Sequence, residues 1–237
     1  MEPLKRIQVL QPPEFGVATA FNDVWFNVYP GPLGLMCSGG ADSSLMLYLT
    51  LLHSDDPIHV FTLANNPLEL KNITAVTAVL NKCVKLTNKH NVIHHIVHME
   101  GNKPDGATVL GDMIKQVGVD INVAQIGVTA NPPKDILDKM NNTYSPRDKS
   151  RDNPNADYEL INATEQGYPW LYTPWRIHNK QTIANIYKKL KLLDELFPLT
   201  FSCEYYPSDY EAPDPGMDHC GNCWWCEERQ WAFGRLK

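Results

Sequence analysis

A chain of 237 residues, 43% of them hydrophobic and 20% charged, has ordinary globular composition and can bury one large core, which argues against disorder along most of its length. The 21 Lys and Arg against 27 Asp and Glu leave a net charge of −6, so there is no broad basic surface to draw duplex nucleic acid or an anionic membrane. The opening MEPLKRIQVLQPPEF has no basic segment leading into an apolar core, and the longest apolar-rich run, Leu45 to Leu52, is far too short for a bilayer. The expectation is a cytoplasmic protein without a membrane partner.

In chain order, an alternating stretch near Val24–Tyr29 predicts an edge strand, and Pro30-Gly31-Pro32 then breaks the chain. Gly34–Cys37 predicts a short buried strand that ends in Ser38-Gly39-Gly40 and is followed by a helix apolar on most faces through Leu45–Leu52. The rhythm repeats. Pro57–Ala64 and Val92–Met99 predict strands, Leu68–His90 and Val109–Val117 helices, and Ile121–Val128 a fourth strand. Alternation of this kind predicts an α/β fold with a doubly wound, mainly parallel sheet, whose ligands bind beyond the carboxyl ends of the strands. Asn131–Tyr158 loses the pattern and predicts a polar loop or lid. A helix over Gln181–Leu196 is stopped by Pro198, and the remainder is rich in Cys, Trp and Pro but poor in regular pattern. The chain therefore divides into an α/β domain over 1–198, carrying the polar loop 131–158, and a C-terminal segment over 199–237 packed on it.

The string Ser38-Gly39-Gly40-Ala41-Asp42-Ser43-Ser44 lies where the first buried strand turns into a helix. Two glycines allow positive φ and close approach of a ligand to the main chain. Free amides of the first helical turn attract an anion, and the serine hydroxyls add donors. Asp42 fits beside phosphates once a divalent cation is included. The structural alternative is a tight turn with Asp42 or Ser43 as N-cap. The string is not G-x-x-x-x-G-K-[ST], since no Lys follows at that spacing. It resembles the loop of the PP-loop (N-type) ATP pyrophosphatases, whose fold is adenine nucleotide alpha hydrolase-like and which cleave ATP between the α and β phosphates. That resemblance implies ATP and Mg2+ as cofactors, Ser38, Gly39, Gly40, Ala41, Asp42, Ser43 and Ser44 as nucleotide-binding residues, and Asp42 and Ser38 as the catalytic ones. It also places adenine near Thr62–Ala64, which serve equally as plain strand core.

Cys220-x2-Cys223-x2-Cys226, with Cys203 upstream, offers four thiolates at spacings suited to a tetrahedral ion, and Gly221 eases the turn. A closed structural Zn2+ site is the expectation, because metal binding would staple a pattern-poor tail. An iron–sulfur cluster is the rival, and His219 is an alternative ligand or a neighbour. The loop together with Ser202-Cys203, Cys220-Gly221-x-Cys223-x2-Cys226-x2-Arg229 and the run from Lys180 resembles the 7-cyano-7-deazaguanine synthase family. What this implies is ATP-dependent adenylation of a small carboxylate with nitrogen transfer, converting 7-carboxy-7-deazaguanine and ammonia through an amide to the nitrile, as in queuosine biosynthesis. The implied partners are a deazapurine carboxylate and ammonia, no nucleic acid, and an assembly for which a homodimer stays open. The segments Asn65–Glu69, Asn102–Gly106 and Gly127–Pro133 depart from the family's substrate-side pattern. The other readings are another PP-loop amide ligase, a tRNA-sulfur enzyme, or a nucleotide-binding protein that has lost catalysis.

Several further residues carry two readings each. Arg147, Lys149 and Arg151 close over pyrophosphate or form a solvated run. Trp224, Trp225 and Trp231 stack on a base or pack around the metal knot. His94, His95 and His98 read as histidines of a buried strand, and Cys37 as a small hydrophobe. Lys180 is a phosphate or substrate contact, or simply a helix-start lysine.

Overall fold

Short β-branched strands separated by amphipathic helices leave one arrangement that buries both faces of a sheet, and the chain adopts it. A computed structural model describes residues 17–21, 24–64, 67–99, 106–140, 151, 160–203 and 219–237. Strands β3 (Leu33–Met36), β4 (Ile58–Leu63), β5 (Val92–Val97), β6 (Val123–Ile126), β7 (Leu160–Asn162) and β8 (Trp170–Tyr172) form a six-stranded sheet in the order β5-β4-β3-β6-β8-β7. Every pairing is parallel except β7 with β8. The predicted α/β class with a mainly parallel sheet is therefore observed. The edge strand expected near Val24–Tyr29 forms as β2 (Val24–Val28), paired with β1 (Val17–Phe21) in a separate antiparallel ribbon.

Helices lie on both faces. Leu45 and Leu49 of α1 (Ala41–His53), Val76 and Val79 of α2 (Pro67–Thr87), and Ile183 and Tyr187 of α5 (Lys180–Lys189) share one core with Leu33, Leu35 and Val60. Val109, Leu110, Met113 and Ile114 of α3 (Gly106–Val117) form the other core with Phe61, Ala124 and Ile126. Neighbouring residues Val60 and Phe61 thus serve opposite faces, as the period of two in a strand requires. The chain runs outward from β3 to β4 and β5 and returns through α3 to β6 on the far side of β3. The carboxyl ends of β3 and β6 therefore flank a topological switch point.

Three expectations change. The helix predicted over 181–196 stops at Lys189, because Lys191 turns left-handed at φ 58°; Leu192 and Leu196 are buried from turns, and Pro198 lies in a short 3-10 helix at Phe197–Leu199. The tail read as pattern-poor contains α6 (Trp224–Phe233). Its Glu228 and Arg229 are fully buried, so no apolar stripe marks it. β5 is an edge strand rather than a buried one, with Ile93 and Ile96 about half exposed. Within the polar stretch a short helix α4 (Lys134–Leu137) forms, while 141–150 and 152–159 lie outside the described residues. Among the described residues no helix is long and apolar enough to cross a membrane.

Candidate functional site

β3 ends against β4, where the Cys37 amide donates to the Phe61 carbonyl at 2.9 Å, and the chain must then reverse into α1 within three residues. Gly39 makes that possible. Its φ is +78°, and a Cβ there would lie 2.7 Å from the Ala75 Cβ. Gly40 occupies the N-cap of α1, and no side chain caps the helix, so neither Asp42 nor Ser43 takes the capping role. The uncapped N-terminus opens on a cleft of about 220 Å³ at the switch point. One wall is Ser38, Gly40, Asp42 and Ser43; the other is Lys180, Phe201, Ser202, Cys203 and Trp225. Gly39, Ala41 and Ser44 of the same string shape the turn and the buried side of α1 without lining the cleft, and Ser44 is fully buried. Gly127, just beyond β6, completes the approach: a Cβ there would come within 3.0 Å of the Ser43 amide nitrogen.

Asp42 is the first member of a chain of buried charges. Its Oδ2 lies 3.2 Å from the Lys180 Nζ, which lies 3.2 Å from the Glu228 Oε2. Glu228 in turn pairs with the Arg151 guanidinium, which also donates to the Thr129 carbonyl at 2.7 Å, the Thr129 hydroxyl at 2.9 Å and the Ala130 carbonyl at 2.8 Å. Arg151 thus lines the cleft with its side chain buried, which corrects its reading as part of a solvated run; Arg147 and Lys149 lie outside the described residues. Burial pushes the Asp42 carboxyl above its ordinary pKa, against the pull of Lys180. Burial works against the Lys180 ammonium too, but the Asp42 and Glu228 carboxylates outweigh it and raise its pKa. Burial likewise opposes ionisation of Glu228, and Lys180 and Arg151 overcome it, holding that carboxyl below its ordinary value. The second oxygen of Asp42, Oδ1, is buried and has no hydrogen-bond partner among the described residues. A buried carboxylate oxygen without a donor is left open to a cation as its partner.

The four cysteines converge. The Sγ atoms of Cys203, Cys220, Cys223 and Cys226 all lie within 4.8 Å of one another, with Cys220–Cys226 and Cys203–Cys223 each at 3.9 Å. Four thiolates bound tetrahedrally to zinc are about 3.8 Å apart, so the cluster can hold such an ion. Gly221, at φ +76°, turns the chain so that the amides of Asn222 and Cys223 donate to the Cys220 sulfur at 3.4 and 3.3 Å. His219 is turned elsewhere, accepting from the Ser202 amide at 3.3 Å. Cys223 occupies the N-cap position of α6, without a side-chain capping bond, and Cys226 sits in its first turn, so the cluster anchors the helix that carries Glu228.

The segment from Phe197 to Cys203 joins the two centres. The Phe201 amide donates to the Gly39 carbonyl at 2.8 Å, and the buried Arg229 donates to Ser202 Oγ at 3.2 Å and Thr200 Oγ1 at 2.8 Å. Thr62 takes the strand-core role, its hydroxyl donating to the Cys37 carbonyl at 3.1 Å and meeting the His94 Nε2 at 2.9 Å. Trp225 packs against the cysteine cluster and also lines the cleft, with Arg151 and Lys180 5.5 and 5.8 Å from its ring centre. Glu228 and Gly127 escape sequence reasoning. A Glu-Glu-Arg run after a cysteine looks solvated, and only tertiary packing shows why position 127 needs glycine. Comparison with models of protein families, with curated proteins and with solved structures gives no match for this chain.

Proposed function

We propose that this chain is an ATP-dependent ligase that adenylates a small carboxylate and transfers nitrogen to it, with the phosphates of ATP bound at residues 38–44. The observation that carries the reading is the partnerless buried oxygen of Asp42, next to an uncapped helix N-terminus and the positive-φ Gly39 at the switch point of a parallel sheet. Bound at Asp42, Mg2+ would offset triphosphate charge. The amides of the first turn of α1 and the Ser38 and Ser43 hydroxyls hold the β and γ phosphates. Lys180, between two carboxylates, presents its ammonium to the charge that grows on departing pyrophosphate.

The balance of the reaction follows. A carboxylate oxygen attacks the α phosphorus and pyrophosphate leaves; ammonia attacks the acyl carbon and AMP leaves with that oxygen, giving the amide. In a second activation, without further ammonia, the amide oxygen attacks the α phosphorus of another ATP and pyrophosphate leaves; loss of the two amide N–H protons and of AMP carrying that oxygen gives the nitrile. The likeness of the loop and the cysteine segment to the 7-cyano-7-deazaguanine synthase family supports 7-carboxy-7-deazaguanine as the first acceptor to try. The metal cluster, closed by four thiolates, has a structural role in this reading.

Incubation with ATP, Mg2+, ammonia and that acceptor should yield AMP and pyrophosphate together with the amide or nitrile, read by mass spectrometry. Acceptor-dependent ADP would overturn the phosphate-site reading, and AMP with an unchanged deazapurine would overturn the acceptor alone. Asp42→Asn should lower turnover roughly 100-fold while leaving the folded chain intact by circular dichroism.

A further inference from the structure

The ionic chain contains one member that does not itself line the cleft. Glu228 is fully buried on α6, two residues past Cys226, and it joins two cations: Arg151 contacts both of its oxygens and Lys180 contacts Oε2. A carboxylate in that position has no packing reason to be charged, since an apolar residue would fill the space at lower desolvation cost. Its geometry gives it a different task. Lys180 is drawn evenly between Asp42 Oδ2 and Glu228 Oε2, both at 3.2 Å, and Asp42 Oδ1 is left without a donor. With two carboxylates and two cations the buried group is neutral as a whole.

Resting on the phosphate-site reading above, we propose that Glu228 is a positioning residue: it holds Lys180 away from full engagement with Asp42 and cancels the charge of Arg151, which keeps Asp42 Oδ1 available to a divalent cation. Without the Glu228 charge, Lys180 has Asp42 as its remaining carboxylate partner, and the two cations leave an excess positive charge facing the cleft. The consequences for two ligands then have opposite signs. A divalent cation binds less well, and a polyphosphate without a cation binds better. A purely structural contribution from Glu228 would instead weaken both or leave both unchanged.

The test uses the full chain with its metal cluster loaded, Glu228→Gln as the variant, and pyrophosphate as the probe, measured by calorimetry with and without Mg2+. The amide keeps the size of the side chain and an acceptor for Arg151. Metal-free pyrophosphate should bind about tenfold more tightly, and the Mg2+ concentration that half-saturates pyrophosphate binding should rise about tenfold, the scale of one charge acting over a few ångströms in a partly screened site. Arg151→Met removes a cation from the same group and should move both quantities the other way, so the inference stays testable if Glu228→Gln does not fold. The double variant restores neutrality and should return both to within about twofold of the parent, as a charge-balance cycle requires. Parallel weakening in both variants, or no change in either, overturns the role of Glu228. A parent protein that binds no pyrophosphate under any condition overturns the phosphate site, and the inference with it.

Discussion

The two walls of the cleft are built on different plans. The wall at residues 38–44 is one uninterrupted string, and main-chain conformation shapes it: a positive-φ glycine, an uncapped helix, and a close approach from Gly127. The opposite wall draws on residues far apart in the chain, Lys180 from α5, Ser202 and Cys203 from the segment after it, and Trp225 from α6. Ion pairs and the cysteine cluster hold those pieces in register. A wall made of backbone is sensitive to added atoms. A wall made of distant side chains is sensitive to the loss of what ties them.

The largest effect should come from the second wall. Cys223→Ser removes one of the four thiolates, and should release the metal and cost on the order of 5 kcal/mol of stability, seen as loss of zinc by elemental analysis and a lowered urea midpoint. If the metal stays and the midpoint holds, the cluster does not tie this wall.

Next come the two adjacent glycines, which separate fold from ligand within the first wall. Gly39→Ala combines a strained φ with a 2.7 Å approach to Ala75 and should cost roughly 2–4 kcal/mol. At Gly40 a Cβ meets Ser38 Oγ at 3.4 Å and Ser202 Oγ at 3.6 Å, which is ordinary contact, so Gly40→Ala should melt close to the parent. Its methyl group enters the cleft between the walls, however, and pyrophosphate binding should weaken about tenfold, or about 1.4 kcal/mol. Equal damage to stability at both positions would erase the distinction. The smallest effect is Ser202→Ala, which removes one of the acceptors of Arg229 and should lower stability by about 1 kcal/mol by urea titration.

The same division explains what can be read in the sequence. β3, α1, β4, α2, β5, α3 and β6 can be read locally, so the succession of strands and helices along the chain and the place of the turn follow from pattern and glycine chemistry, while the spatial order of the strands does not. β7 and β8 have three residues each, too few to show any period. α6 is hidden for a physical reason: its inward face carries Glu228 and Arg229, whose partners Arg151 and Thr200 lie elsewhere in the chain, so burial leaves no hydrophobic stripe. Lys180 is visible as a lysine at a helix start, but the carboxylates on either side of it belong to α1 and α6. The cysteine spacings carry their meaning in four residues. The ionic chain does not, because each pair joins segments that no local signal connects.

Distance along the chain also sets an order of events. The Tyr187 hydroxyl donates to the Ala41 carbonyl across 146 residues, and the Trp175 indole to the Asp42 carbonyl across 133. The first turn of α1 is therefore synthesised early and receives its outer partners late. A growing chain that has already assembled β5, β4, β3 and β6 still lacks Lys180, Phe201 and the cysteine-anchored helix. Contacts of such long separation close slowly, so the two walls meet near the end of folding rather than at its start. A ligand that needs both walls has nothing to grip before then, and its binding energy is added to the finished chain alone.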